Sequence, residues 1–362
     1  MIIHLWYSTM RHLIAVMIII LLGVGAMSCG SLQLPTPLPW PTATRGPSHA
    51  VASNGLAFHE VWRQVVGQSH QTDSTNGPLM TIAADTLVLP VLGVRESRLV
   101  ALGTQDGRRL WTRKLDNPGF PDIPVRVMSM LADPKRVYVT LLSFVAEAFD
   151  LRDGKPLWTT KKLREHAGYD IFPLIQNDTL QIYSSPKDTA IYNVNITNGQ
   201  ITSIEGYPGD LIMKTSTTKC FDTVASLSCV DDDISKSSWE IPTRGQVTKW
   251  PVLVNPETMI FAIGSSFKSI RAIDLTSGRA LWQTPMDVIC NMTVMNGIVY
   301  SIKADATLVA QDALTGHQTG LLQFSNSPFQ RQPGAEYWVV AGDSMLFVYL
   351  GDSQELIAFG PN

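Results

Sequence analysis

The sequence is poor in cysteine and in charge. Its 362 residues include 4 cysteines, Cys29, Cys220, Cys229 and Cys290, and only 16% are Asp, Glu, Lys or Arg. No cysteines form a CxxC pair and none joins a histidine at zinc-ligand spacing, so nothing indicates a structural zinc site. The net charge is −3 and basic residues form no long block, which argues against a nucleic-acid partner. The 7 histidines are scattered, with no HExxH. There is no glycine-rich phosphate loop leading from a strand into a helix and no GxSxG elbow. Beyond residue 30 no amphipathic helical pattern of ~12 residues appears. The only acidic run, Asp231-Asp232-Asp233, falls where a hairpin turn is expected. Its side chains alternate between faces, and a solvated turn fits it better than a calcium loop. No catalytic residue, metal ligand or cofactor is assigned.

What the chain does have is apolar residues, 45% of the total, enough for a large core. They begin at residues 13–27, LIAVMIIILLGVGAM, behind His4, Arg11 and His12. A charged start followed by an apolar run is the layout of a secretory signal. As a helix the run is about 22 Å long, short of a bilayer's roughly 30 Å core. A spanning anchor would have to recruit residues 2–10. The run ends in Ala26-Met27-Ser28-Cys29, which resembles a bacterial lipoprotein signal, with Ala26 where that pattern usually has Leu. The expectation is a signal over 1–28, a lipid on Cys29 and a proline-rich linker to residue 55. An uncleaved N-terminal helix is the alternative anchor. Pro35, Pro37, Pro39, Pro41 and Pro47 keep the linker extended.

Residues 56–362 repeat. Val100–Trp111, Glu147–Trp158 and Arg271–Trp282 share an alanine, a glycine six residues later and a tryptophan four residues after that. The pairs are Gly107 with Trp111, Gly154 with Trp158 and Gly278 with Trp282. Weaker copies have Gly199 with Ser203 at the tryptophan position, Ser235 with Trp239, and Gly316 with Gly320. These turn positions recur every ~40–50 residues, the length of a four-stranded propeller blade. Short β-rich runs such as 136–140, 259–263 and 298–302, bounded by Gly, Asp, Asn or Pro, supply the strands. The glycine permits the positive φ of a tight turn, and the tryptophan is placed to fill the wedge between blades.

The C-terminus carries three strands and stops before the tryptophan half of its motif. That half stands at the other end, in Phe58–Val66, with Trp62. The predicted fold is therefore all-β: a seven-bladed propeller of four-stranded antiparallel blades, the last closed by the N-terminal strand. The innermost strands are expected within 79–85, 125–132, 170–177, 211–216, 246–254, 289–296 and 336–343, segments with few charges. Cys220 and Cys229 flank a hairpin in blade 4. A cross-strand disulfide is one reading and two buried thiols the other. Cys290 is read as a core thiol on an inner strand.

The spacing Ala-x-Asp-x-x-x-Gly-x-x-x-Trp resembles the tryptophan-docking repeat of quinoprotein-type (PQQ-like) propellers, with Gly103 replacing Asp in the first copy. That family includes enzymes holding pyrroloquinoline quinone and cofactor-free lipoprotein scaffolds of outer-membrane β-barrel assembly. The resembling dehydrogenases have eight blades, a vicinal Cys-Cys pair and a calcium site, and this chain has no Cys-Cys pair. The resemblance thus implies a non-enzymatic, extracytoplasmic scaffold: a monomer, tethered to a membrane, with a protein partner. The alternative is a quinone- or metal-binding enzyme or sensor using the central channel, because fold alone does not decide function.

Overall fold

The computed structural model describes residues 58–67, 79–92, 96–116, 125–143, 145–161, 163, 169–184, 190–206, 210–215, 217–222, 226–231, 239–243, 248–264, 268–324 and 336–361. Among them are strands and turns and no helix. In chain order the strands are β1 (Phe58–Val65), β2 (Thr81–Ala83), β3 (Thr86–Leu92), β4 (Ser97–Gly103), β5 (Arg109–Leu115), β6 (Val127–Ala132), β7 (Arg136–Leu141), β8 (Val145–Asp150), β9 (Pro156–Thr159), β10 (Tyr169–Gln176), β11 (Thr179–Ser184), β12 (Ala190–Asn195), β13 (Ile201–Gly206) and β14 (Asp210–Lys214). They continue as β15 (Thr218–Asp222), β16 (Ser226–Asp231), β17 (Trp239–Pro242), β18 (Thr248–Asn255), β19 (Thr258–Ile263), β20 (Ser269–Asp274), β21 (Ala280–Pro285), β22 (Thr293–Met295), β23 (Ile298–Ile302), β24 (Thr307–Asp312), β25 (Gln318–Gln323), β26 (Tyr337–Ala341), β27 (Leu346–Leu350) and β28 (Glu355–Pro361).

These make seven four-stranded antiparallel sheets. Blades 1 to 6 are successive quartets from β2 to β25, and blade 7 is β26-β27-β28 completed by β1. The first strands of the blades touch in a closed cycle, β2, β6, β10, β14, β18, β22, β26 and back to β2. They line the axis, and the fourth strands form the rim. Each observed inner strand overlaps the segment expected for it, and the ring closes as expected.

Middle strands lie between two neighbouring blades and are apolar on both faces, as in β19, TMIFAI, which is buried throughout. Rim strands have water on one side and alternate: in β5, Trp111 and Leu115 are buried while Arg109, Leu110, Thr112 and Lys114 are exposed. Inner hairpins turn tightly through residues suited to positive φ, such as Asn177-Asp178 (50° and 58°) and Asn296-Gly297 (52° and 75°). The closing pair runs from Phe58 opposite Pro361 to Val65 opposite Glu355, with a bulge between Glu60 and Trp62. Arg63 braces it, reaching Glu60 at 2.8 Å and Glu355 at 3.4 Å.

One expectation needs correction. Cys290 is not on an inner strand but in the loop before β22. Val288 makes an isolated bridge to Lys303 and the Ile302 amide donates to Cys290 Sγ at 3.2 Å, so this loop runs along β23 instead of pairing as β22.

Candidate functional site

The repeat's tryptophans and glycines meet across blades, not within them. Trp111 sits on β5 opposite Ala101, whose small side chain lets the indole lie flat across β4. The ring then crosses to blade 2. Its Nε1 donates to the Leu151 carbonyl at 2.8 Å, and the ring covers Gly154. A Cβ on Gly154 would stand 2.7 Å from Trp111 Cε3, and its φ is +70°, so glycine is required there twice over. Leu151 is the hub: its amide donates to Lys135 O at 2.9 Å, tying the outer turn of blade 2 to its inner hairpin.

The same dock recurs four more times. Trp62 donates to Thr104 O (2.8 Å) and covers Gly107. Trp158 donates to Ile196 O (2.7 Å) and covers Gly199. Trp239 donates to Leu275 O (2.6 Å) and covers Gly278, and Trp282 donates to Ala313 O (3.0 Å) and covers Gly316. Each acceptor lies three residues before its glycine. One indole removes about 200 Å² from water, roughly 5 kcal/mol at the usual coefficient. Trp62, Trp111 and Trp158 are buried, and Trp239 and Trp282 are partly so.

The motif's acidic position has a turn-closing role. Asp274 Oδ1 accepts from the Ser277 hydroxyl and amide, both at 2.7 Å, which holds its carboxyl below the usual range. Where Gly103 replaces the acid, that bond is missing, and Asp106 accepts from the Arg108 amide at 2.9 Å as Asp153 accepts from the Lys155 amide in blade 2.

Among the described residues two seams have no dock. On the rim of blade 3 the tryptophan position is Ser203, opposite Asn193. The outer turn of blade 4, where the sequence has Ser235, lies outside the described residues. On the rim of blade 6 the position is Gly320, opposite Ala310. Blade 7 has no outer turn to receive an indole, because its third and fourth strands are the two ends of the ring. Sequence reading found the residues and missed the pairing. The missed signal was that each tryptophan is followed, one repeat later, by its receiving glycine.

Cys220 and Cys229 are directly opposite on β15 and β16 and are joined as a disulfide, with a Cα–Cα distance of 4.0 Å. Cys229 occupies the alanine position, across from Trp239. Cys290 is buried, which pushes its thiol up to about 12, so it stays protonated and inert as a nucleophile at neutral pH. His59 and His317 are exposed. Asp231 ends β16, whereas Asp232 and Asp233 lie outside the described residues, as does Cys29. Among the described residues no three His, Cys, Asp or Glu side chains gather to hold a metal. Inner strands β2, β6, β22 and β26 carry no charged residue, whereas β10 has Asp170, β14 has Asp210 and Lys214, and β18 has Lys249.

Residues 59–232 match the family model described as outer membrane protein assembly factor BamB. The chain resembles the PQQ-like propellers of the BamB kind. The match runs from the closing strand to the end of β16 in blade 4. BamB from Moraxella catarrhalis superposes with a TM-score of 0.51 at 11% identity, over 84% of this chain and 99% of that one. Raptor from Chaetomium thermophilum gives 0.61 at 11% identity, over 82% of this chain and 29% of that one. The Cps50 (Swd1) propeller domain from Myceliophteria thermophila gives 0.55 at 9% identity, over 82% and 99%. At such identities these likenesses speak to fold. No curated protein matches the sequence.

Proposed function

We propose that this chain is an exported, membrane-tethered propeller that serves as a non-catalytic scaffold for a protein partner. Residues 1–28 are the signal, Cys29 carries the lipid and 29–55 form the linker. The observation that carries the scaffold reading is the match to a family described as an assembly factor, in a ring whose repeated glycines and tryptophans serve docking between blades. Two features support export. The apolar run at 13–27 has the layout of a signal. The Cys220–Cys229 pair is a disulfide, a bond that persists in oxidising compartments. The tether joins the ring at Phe58, on the rim strand of blade 7, so a pull on it is taken up along the β1–β28 ladder. In this reading the protein is a monomer and no residue has a catalytic role.

The test is intact-mass spectrometry of the membrane-extracted protein beside a Cys29→Ala variant, with crosslinking at the membrane surface. A mature chain beginning at Cys29 with a diacylglycerol-sized increment, lost in the variant, and a crosslinked protein partner are expected. A retained Met1, or a mature chain without lipid, would overturn the tether. Absence of a protein crosslink in the lipidated form would overturn the scaffold.

A further inference from the structure

We infer that the ring opens first at the seam between blades 3 and 4, and that the Cys220–Cys229 disulfide is a redox-sensitive tie that limits this opening. The face that blade 3 turns to blade 4 is polar where blades 1, 2, 5 and 7 place alanine and tryptophan. Gln181 Nε2 donates to Asn193 Oδ1 at 2.9 Å, and Asn193 Nδ2 donates to Ser203 Oγ at 2.9 Å and to Glu205 Oε1 at 2.7 Å. Ser203 and Glu205 are exposed, and hydrogen bonds at a wet rim exchange for water at little cost. The rim strand β13 is exposed from Thr202 to Gly206, whereas β5, β9 and β25 each bury at least one residue and β17 and β21 keep their tryptophans partly covered. Among the described residues the apolar contacts of this seam are Tyr183 and Ile191 from blade 3 against Leu211 and Phe221 from blade 4, with Val230 beside them.

Blade 4 is held unequally on its two sides. Trp239 docks its outer strand onto Leu275 and Gly278 of blade 5. The inner hairpin β14-β15 contributes Leu211 and Phe221 to the weak seam. It is joined to the docked half of the blade by the β15-β16 ladder and by the disulfide, whose sulfurs lie among Met259, Phe261 and Trp239 on the blade 5 side. Reduction by a dithiol breaks the S–S bond. The dithiol gives up two electrons and two protons to form two protein thiols and is itself left as a disulfide. The inner hairpin then depends on its backbone ladder, on the apolar seal toward blade 3 and on the packing of Ile212 and Met213 against Met259 and Phe261 of blade 5. Both cysteines are buried, so the reductant reaches them through an opening of the blade, and the rate of reduction reports that opening. The inference stands whether or not Cys29 is lipidated.

Hydrogen exchange of the full chain, with and without dithiothreitol, tests this. Reduction is expected to lower the protection of β12, β14 and β15 amides roughly 10- to 100-fold, the scale of a tie closing a short loop. Amides in blades 1, 2 and 6 should change less than about twofold, because local openings are separate cooperative units. A Cys220→Ala/Cys229→Ala variant should reproduce the reduced pattern without reductant. Alanine suits the second site, since Ala101, Ala148, Ala272 and Ala310 hold the same register in blades 1, 2, 5 and 6. If the variant does not fold, the reduced wild-type chain carries the test. Unchanged protection at this seam on full reduction, or loss of protection in all seven blades together, would overturn the inference.

Discussion

Seams 3/4 and 6/7 both lack an indole, yet they are built differently. At 6/7 a clamp stands in its place. Asn291 Nδ2 donates to Val339 O at 2.6 Å and its Oδ1 accepts from the Val339 amide at 3.0 Å, so one side chain bonds the inner strand of blade 7 as a neighbouring strand would. Thr293 Oγ1 accepts from the Ala341 amide at 3.2 Å. Aromatic pairs close the rest: Phe58 with Tyr300 at 6.0 Å and Phe324 with Phe359 at 6.1 Å, around a core running from Met295 to Phe359. At 3/4 the polar groups lie toward the rim, and among the described residues the apolar contacts are a few side chains. The chain crosses both seams, from β13 to β14 and from β25 to β26, so the difference lies in the side chains that face each seam.

Removing a dock should have the largest effect. Trp62→Ala empties a buried dock beside the ring closure and is expected to cost roughly 3–5 kcal/mol, read from the urea midpoint. Asn291→Ala should come next, at roughly 1–3 kcal/mol, because it strands the buried Val339 amide and carbonyl. Asn193→Ala, the matching change at seam 3/4, should cost about 1 kcal/mol, since two of its three side-chain partners, Ser203 and Glu205, are exposed and water replaces it there, while Gln181 is half-buried. Equal costs for the two asparagines would erase the contrast between the seams.

The smallest effect is one of pH. Glu147, on β8 and opposite Thr159, is pushed up to about 7, chiefly by burial and then by Asp116 across seam 1/2, with Arg113 opposing. The folded chain therefore holds a proton that the unfolded chain releases near pH 4.5. Its contribution to stability is complete below that pH and is lost as pH rises through about 7. Melting curves from pH 4.5 to 8 should show this slope, and Glu147→Gln should flatten it.

The ring was legible in the sequence because the blade repeats a period, and Ala-Gly-Trp offsets survive in three complete copies. Closure was legible because Trp62 and Ala358 are the two halves of one motif, and they pair in the fold. The docks were not, because the partner of Trp111 is Leu151, in the next repeat, through a backbone carbonyl that leaves no trace in residue type. The Asn291 clamp was hidden for the same reason: its partner is also backbone, 48 residues away. Ser203 and Gly320 read as decayed copies. Gly320 is instead a position whose receiving turn the chain break removes.

The central claim is that each tryptophan is held by the next blade's turn, and a double-mutant cycle on Trp111→Ala and Gly154→Ala tests it most directly. Gly154→Ala should cost roughly 2–4 kcal/mol in the wild-type chain, where the new Cβ meets the indole. In the Trp111→Ala background only the positive-φ penalty of roughly 1–2 kcal/mol should remain. The same cost in both backgrounds would mean that the two residues do not act as one dock.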